Sequence, residues 1–408
     1  MSTELGLHLD ETDLPLIKSA STSGKQGAIV AIFSITSTML GSSVLALPWG
    51  LTESGLLYGW FIAVFIGLIC FYTCLLISKH TTNYTDFADL LTDLYGAWAG
   101  KVARCAGALI VIGASISYCV ILADDAAGVF NAAQIWIYGS PYFDLSVVRR
   151  LTPVVLLIFL LPLSNLREVS LLVSLSSYGF FSVLFVMFTV GVKSFDKGIE
   201  LNLDVVMQKG PHVQNLAGLL MLAFFIHNLV ITIKGNQKIP QNMSRNLGLA
   251  YVVTAFCYLF TGSVGHLAYK DEMKQNWLEI LEPCDILGTI SRVLLIFQIL
   301  LVYPILVFVI RESLFGLFCT STPSKFLMVF LSCSVVLIGT SFSIWYPNIG
   351  DLLRFFGAIS GLIYSYGFPA LSHMTILKRN GELGFFSTVG HSCIILIGVC
   401  LCALQFVN

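Results

Sequence analysis

From Gly27 onward the chain is a succession of long apolar runs separated by short polar breaks. This pattern limits the possible folds more than any other feature. A helix rises ~1.5 Å per residue and a bilayer's hydrocarbon core is ~30 Å thick, so ~20 apolar residues span it. Eleven runs approach that length, at about 27–50, 56–78, 101–123, 149–163, 170–192, 214–233, 247–269, 289–310, 324–345, 352–377 and 386–407. They are continuous rather than alternating, which excludes a transmembrane β-barrel. Charged residues make up 11% of the chain, against roughly 25% in soluble domains. A net charge of −1 leaves no basic field to hold nucleic acid. The expectation is an all-α membrane protein of eleven transmembrane helices, with lipid as its main partner.

Residues 1–26 form a polar, slightly acidic tail, and 27–408 the membrane domain. The tail lacks the basic start and short apolar core of a signal peptide. Its Asp13-Leu14-Pro15-Leu16-Ile17 resembles an acidic dileucine sorting signal. Lys and Arg in the connections number thirteen on the N-terminal side and seven on the other. Positive residues accumulate on the cytosolic side, so the N-terminus is expected there and the C-terminus in a lumen or outside. The sequons at Asn83 and Asn242 then fall on the cytosolic side and are expected to stay unglycosylated. Most of the eleven cysteines sit inside apolar runs, where they act as small hydrophobes.

Two runs are wrong for lipid-facing helices. The first carries Ile35-Thr36-Ser37-Thr38-Met39-Leu40-Gly41-Ser42-Ser43 and, one turn later, Pro48. One reading is close helix packing through small residues and hydroxyls. The other is an unwound stretch whose free backbone groups line a cavity. The sixth run carries Phe225-Ile226-His227-Asn228 at its middle. That pair is either a polar clamp between helices or a second break with a protonatable group in the path. The two runs are offset by five spans, and interrupted helices in corresponding positions of two halves point to an inverted-repeat transporter. Asp124-Asp125, placed just after the third run and near a loop, reads as structural or interfacial, with a cation vestibule as the alternative. Gln298 and Tyr303-Pro304 in the eighth run read as structural. No Gly-x-Ser-x-Gly or His-Glu-x-x-His pattern is present, so the chain is not expected to be an enzyme.

The strings Thr38-Met39-Leu40-Gly41-Ser42-Ser43, Leu47-Pro48-Trp49-Gly50, Leu163-Ser164-Asn165, Leu222-Ala223-Phe224-Phe225-Ile226-His227-Asn228, Val302-Tyr303-Pro304 and Tyr346-Pro347-Asn348-Ile349-Gly350 run in order along the chain. Together they resemble the amino acid/auxin permease family, within the amino acid–polyamine–organocation superfamily. The likeness is strongest to its lysosomal, arginine-responsive, sodium-coupled neutral amino acid transporters. The resemblance implies a five-plus-five inverted repeat (the LeuT-like, amino acid permease fold) with broken helices 1 and 6. It implies that Ser37 to Ser42 line the substrate site. Ser42 stands where those relatives have a threonine important for arginine. An amino acid would leave a lysosomal or late endosomal lumen; the alternatives are uptake at the plasma membrane and a sensor without net transport.

Three departures from the family accompany the likeness. Ser37 replaces an asparagine. The span-8 hydroxyl expected to help hold sodium falls at Leu301, and a leucine cannot ligate a hard cation. The tail is short for the signalling contacts of long-tailed relatives. Substrate binding is therefore assigned to Ser37, Thr38, Met39, Leu40, Gly41, Ser42, Ser43 and Phe225. Ion or proton coupling is assigned to Ser34, His227 and Asn228. No cofactor is expected beyond a coupling proton or sodium ion.

Overall fold

Backbone groups in hydrocarbon have no water to bond, so a chain of apolar runs satisfies them internally as helices. The computed structural model describes residues 26–41, 43–82, 84, 86–166, 178–199, 201–318 and 324–406. The acidic dileucine stretch, the Asn83 sequon position and Ser42 lie outside them. The helices in chain order are α1 (Ala28–Leu40), α2 (Ser43–Ser54), α3 (Leu56–His80), α4 (Phe87–Tyr95), α5 (Ala97–Tyr138), α6 (Leu145–Ser164), α7 (Gly179–Lys197) and α8 (Leu203–Met207). They continue with α9 (Val213–Ala223), α10 (Val230–Asn236), α11 (Met243–Tyr269), α12 (Ile286–Phe318), α13 (Lys325–Trp345) and α14 (Ile349–Gly361). A π-helical turn, Leu362–Gly367, joins α14 to α15 (Phe368–Arg379), and α16 (Phe385–Leu404) ends the series.

The protein is an all-helical, multi-pass membrane protein. Among the described residues eight helices are long and apolar enough to cross a bilayer, and nine if α1 and α2, bent by 60°, count as one span. The α9–α10 stretch falls outside that count because it is split into pieces of 11 and 7 residues. The α14–α15 stretch is divided by the π turn.

Two expected elements come out differently. The third apolar run does not stop at Asp124-Asp125. Helix α5 continues through them to Tyr138, where Gly139 adopts a left-handed φ of 75° and closes the helix with its N–H on Ile135 O. Its 42 residues extend about 60 Å. The acidic pair is tolerated inside it because Arg292 and Arg149 come alongside from distant helices. The fourth run, expected to be short, is a 20-residue helix. Asp144 caps its start by accepting from Ser146 N at 2.9 Å, which extends it toward the N-terminal end.

The helices pack in two groups. Helices α2, α3, α9 and α11 contact one another, with α1 against α11. Helices α5, α6, α12 and α13 form the other group. Helix α14 bridges them, touching both α9 and α5. The crossing of α9 and α14 is close: a Cβ on Gly357 would lie 2.5 Å from Gly218 O. Gly357→Val should therefore force the helices apart at ~1–3 kcal/mol. Thermal unfolding of the purified protein in detergent checks this, and a wild-type midpoint in the variant would show that the crossing is looser than described.

Candidate functional site

Helix ends inside a bilayer leave carbonyls and N–H groups without partners along the chain. Here two helices end near mid-bundle, α1 at Leu40 and α9 at Ala223, and α2 starts there at Ser43. One side chain on α11 serves both C-terminal ends. The Tyr258 hydroxyl is hydrogen-bonded to Met39 O, donates to Ala223 O at 2.9 Å, and lies 3.1 Å from Ser43 Oγ. Two turns earlier, Tyr251 donates to Phe224 O at 2.9 Å. The α11 tyrosines thus satisfy carbonyls that the helix breaks set free.

Beside the first break, Gly41 and Leu45 face Tyr118 of α5 and Gln298 and Ile299 of α12. The enclosed space there is only about 10 Å³, room for about one water. A Cβ on Gly41 would come within 2.9 Å of Tyr118 Oη. Gln298 Oε1 is buried and has no hydrogen-bond partner. The rest of the lining is leucine, isoleucine and valine.

The two faces of the bundle differ. On the face where α1 begins, Gln26 and Gln237 form an isolated parallel bridge, with Gln26 N on Asn236 O at 3.1 Å and Lys238 N on Gln26 O at 2.9 Å. This ties the start of α1 to the end of α10. Lys234 Nζ adds a bond to Ser78 O at 2.6 Å. On the opposite face lies a cavity of about 540 Å³, bordered by Trp49, Asp124, Arg149, Gln275, Asn276 and Glu279 among others. The small space at Gly41 therefore lies in a bundle tied on one face and indented on the other.

The residues expected to bind substrate are not all brought together. Gly41 borders the small space; Met39 and Ser43 are not in its lining and instead meet at Tyr258, through Met39 O and Ser43 Oγ. Ser37 and Thr38 instead turn their hydroxyls back to Ser34 O, at 3.0 and 2.8 Å. Leu40 is buried in the apolar core. Phe225 lies away from Gly41, stacked on His227 and edge-on to Tyr364. His227 is fully buried, with Nε2 2.9 Å from Thr73 Oγ1 and Nδ1 3.4 Å from Ser365 Oγ. It thereby joins α3, the second break and the π turn. Asn228 is half-buried beside it. Tyr118, Tyr251 and Tyr258 were not anticipated. The only trace in the sequence is the i, i+7 spacing of Tyr251 and Tyr258 on one face of an otherwise apolar helix.

The family described as transmembrane amino acid transporter protein matches residues 24–408. Neutral amino acid transporter 9 of Danio rerio is 31% identical over 94% of this chain and 81% of its own length. The sodium-coupled neutral amino acid transporter 9 homolog of Caenorhabditis elegans is 29% identical over 97% of this chain and 75% of its own. Among solved structures, MhsT in complex with L-phenylalanine superposes with a TM-score of 0.56 at 13% identity, over 92% of this chain and 97% of that one. That likeness shows the fold.

Proposed function

This chain belongs to the transmembrane amino acid transporter protein family, and from that premise we propose that it carries neutral amino acids out of a lysosomal or late endosomal lumen by alternating access. The observation that carries the reading is the polarity of the helix ends around Gly41. Helix α2 brings its N-terminus, the positive end of its dipole, to the break, while α1 and α9 bring C-terminal carbonyls. An amino acid presents the matching charges: its carboxylate meets the N–H groups at the start of α2, and its ammonium meets the carbonyls around Met39 and Ala223. Tyr118 and Gln298 are the polar side chains at hand for it, and the apolar lining suits an uncharged side chain.

In this reading α1–α2 and α9–α10 are broken spans 1 and 6 of two inverted halves, and the α14–α15 stretch is span 10. These bring the total to eleven, with 27–408 as the transport domain and 1–26 as a cytosolic tail. The excess of Lys and Arg supports a cytosolic N-terminus and a luminal C-terminus. The cavity of about 540 Å³ is then the luminal vestibule, and the Gln26–Gln237 tie the closed cytosolic gate. Substrate descends from the vestibule to Gly41. One helix group then rocks against the other, and the tie between α1 and α10 opens. His227 clamps the second break against α3 and the π turn through that motion. Ser34 and Asn228 remain with it as candidates on the ion path, and the ion is a proton or sodium.

Counterflow tests the proposal. Proteoliposomes loaded with unlabelled amino acids should accumulate a radiolabelled mixture of the standard amino acids above its equilibrium level, and empty vesicles should not. Binding of label without any accumulation would instead make the protein a membrane-embedded amino acid sensor.

A further inference from the structure

Behind the vestibule lies a group that the transport path leaves unused. Asp125, on α5, is 1% exposed, and neither carboxyl oxygen has a hydrogen-bond partner. Arg292 of α12 faces it and is 6% exposed. Its Nη2 donates to Leu278 O at 2.6 Å, while Nη1 is buried without a partner. Space for the guanidinium is made by Gly128, one turn after Asp125: a Cβ there would lie 2.7 Å from Arg292 Nε. The preceding residue, Asp124, borders the vestibule together with Glu279, and Arg149 of α6 pairs with Glu279 at 2.7 Å. The other charges near the pair are Asp124 on its own helix, Glu279 on the 3-10 turn Trp277–Ile280, and Asp285, which is engaged by Lys193 of α7.

A buried acid and a buried guanidinium side by side, each with an unmade bond, form a two-position device. A buried carboxylate without a donor is expensive, and one that carries a proton is not. We propose that Asp125 is a proton-binding site loaded from the vestibule through Asp124, and that Arg292 takes its carboxylate when the proton leaves. The exchange balances: Asp125 COOH gives up H⁺ and becomes COO⁻, and the resident guanidinium pairs with that anion without any metal cation entering. Arg292 beside the acid opposes sodium there, since a hard cation needs several oxygen ligands and no competing positive charge. Among the described residues no cluster of three or more acidic, histidine or cysteine side chains fits a metal ion.

This inference rests on the transport reading, and the test separates the two. The full-length protein is placed in proteoliposomes containing a pH-sensitive dye and offered the same radiolabelled amino acid mixture at acidic and neutral external pH. Wild type should take up label with at least about fivefold higher apparent affinity from the acidic side, within the usual range of coupling between two sites, and the dye should report proton movement tied to uptake. Asp125→Asn should keep counterflow but lose both the acid effect and the proton signal. Asp125→Glu should keep the acid effect with a displaced pH midpoint. This arm decides the case if the Asn variant fails to fold, because a purely structural acid would leave the midpoint unmoved. Full acid stimulation and proton movement in Asp125→Asn, or an unmoved midpoint in Asp125→Glu, would overturn the proposal. Wild-type counterflow that ignores pH would sink this inference alone, whereas absence of any wild-type counterflow would sink the transport reading.

Discussion

Gly41→Val should reduce amino acid counterflow to near background while leaving the folded protein recoverable in detergent. The space beside Gly41 is about 10 Å³, and even a single Cβ would sit 2.9 Å from Tyr118 Oη. Valine adds two methyl groups beyond that point, where a substrate carboxylate is expected to approach the start of α2. Overpacking of a tight site costs ~1–3 kcal/mol, which corresponds to about 5- to 150-fold in binding. The loss should be graded. Gly41→Ala meets only the end of the Tyr118 side chain, which can swing away, so its uptake should fall severalfold rather than vanish. Pairing Gly41→Ala with Tyr118→Phe removes the atom that clashes and should recover part of the activity. Wild-type uptake by Gly41→Val would place the substrate elsewhere in the bundle. An equal loss in Gly41→Ala and in the double variant would point to a backbone effect rather than to the contact with Tyr118.

The membrane class and the order of the helices were legible because lipid imposes a crude code: length and continuity of apolar runs. The helix ends at Leu40 and Ala223 fall close to residues that such a code penalises, the hydroxyl run Thr36–Thr38 and the pair His227-Asn228. What the sequence could not display are relations between helices. Asp124-Asp125 looked like a helix end because two acids in a row oppose burial. Their neighbours Arg149 and Arg292 arrive from α6 and α12, far along the chain, and the helix runs on. Ser37 and Thr38 looked like site residues by type, yet a hydroxyl on a helix bonds back to the carbonyl one turn before it, and both do so at Ser34 O. The tyrosines of α11 carry no mark in the sequence beyond their i, i+7 spacing. Nothing in their own segment shows that broken helix ends lie against them.

The polar minority thus divides by what it does for the backbone. Some of it keeps helices whole, as Asp144 does in capping α6. Some of it tolerates helices that are not whole. This second role makes a strong prediction, because a dry interior offers the carbonyls concerned few other donors.

Tyr258→Phe should both destabilise the protein and impair transport, and the transport loss should be the larger. The substitution keeps the ring, which packs edge-on to Phe224, and deletes only the hydroxyl. That hydroxyl lies on Met39 O at the end of α1, Ala223 O at the end of α9 and Ser43 Oγ at the start of α2. With one proton it donates to one carbonyl at a time or is shared between the two. Removing it orphans about one buried acceptor, a loss of ~1–3 kcal/mol. Ser43 Oγ already lies 3.5 Å from Met39 O and can take over part of that role. The cost to stability is therefore moderate. Transport suffers more because Tyr258 is the atom-level link between the two breaks, and alternating access requires their carbonyls to face one substrate together. Tyr251→Phe is the matched control. It frees Phe224 O and loses the 3.4 Å contact with Cys74 Sγ, but it touches only one of the two breaks, so its thermal midpoint should fall comparably while counterflow falls less. Equal transport in the two variants would mean that the breaks act independently, and unchanged counterflow in Tyr258→Phe would mean that the free carbonyls it touches do not hold the substrate.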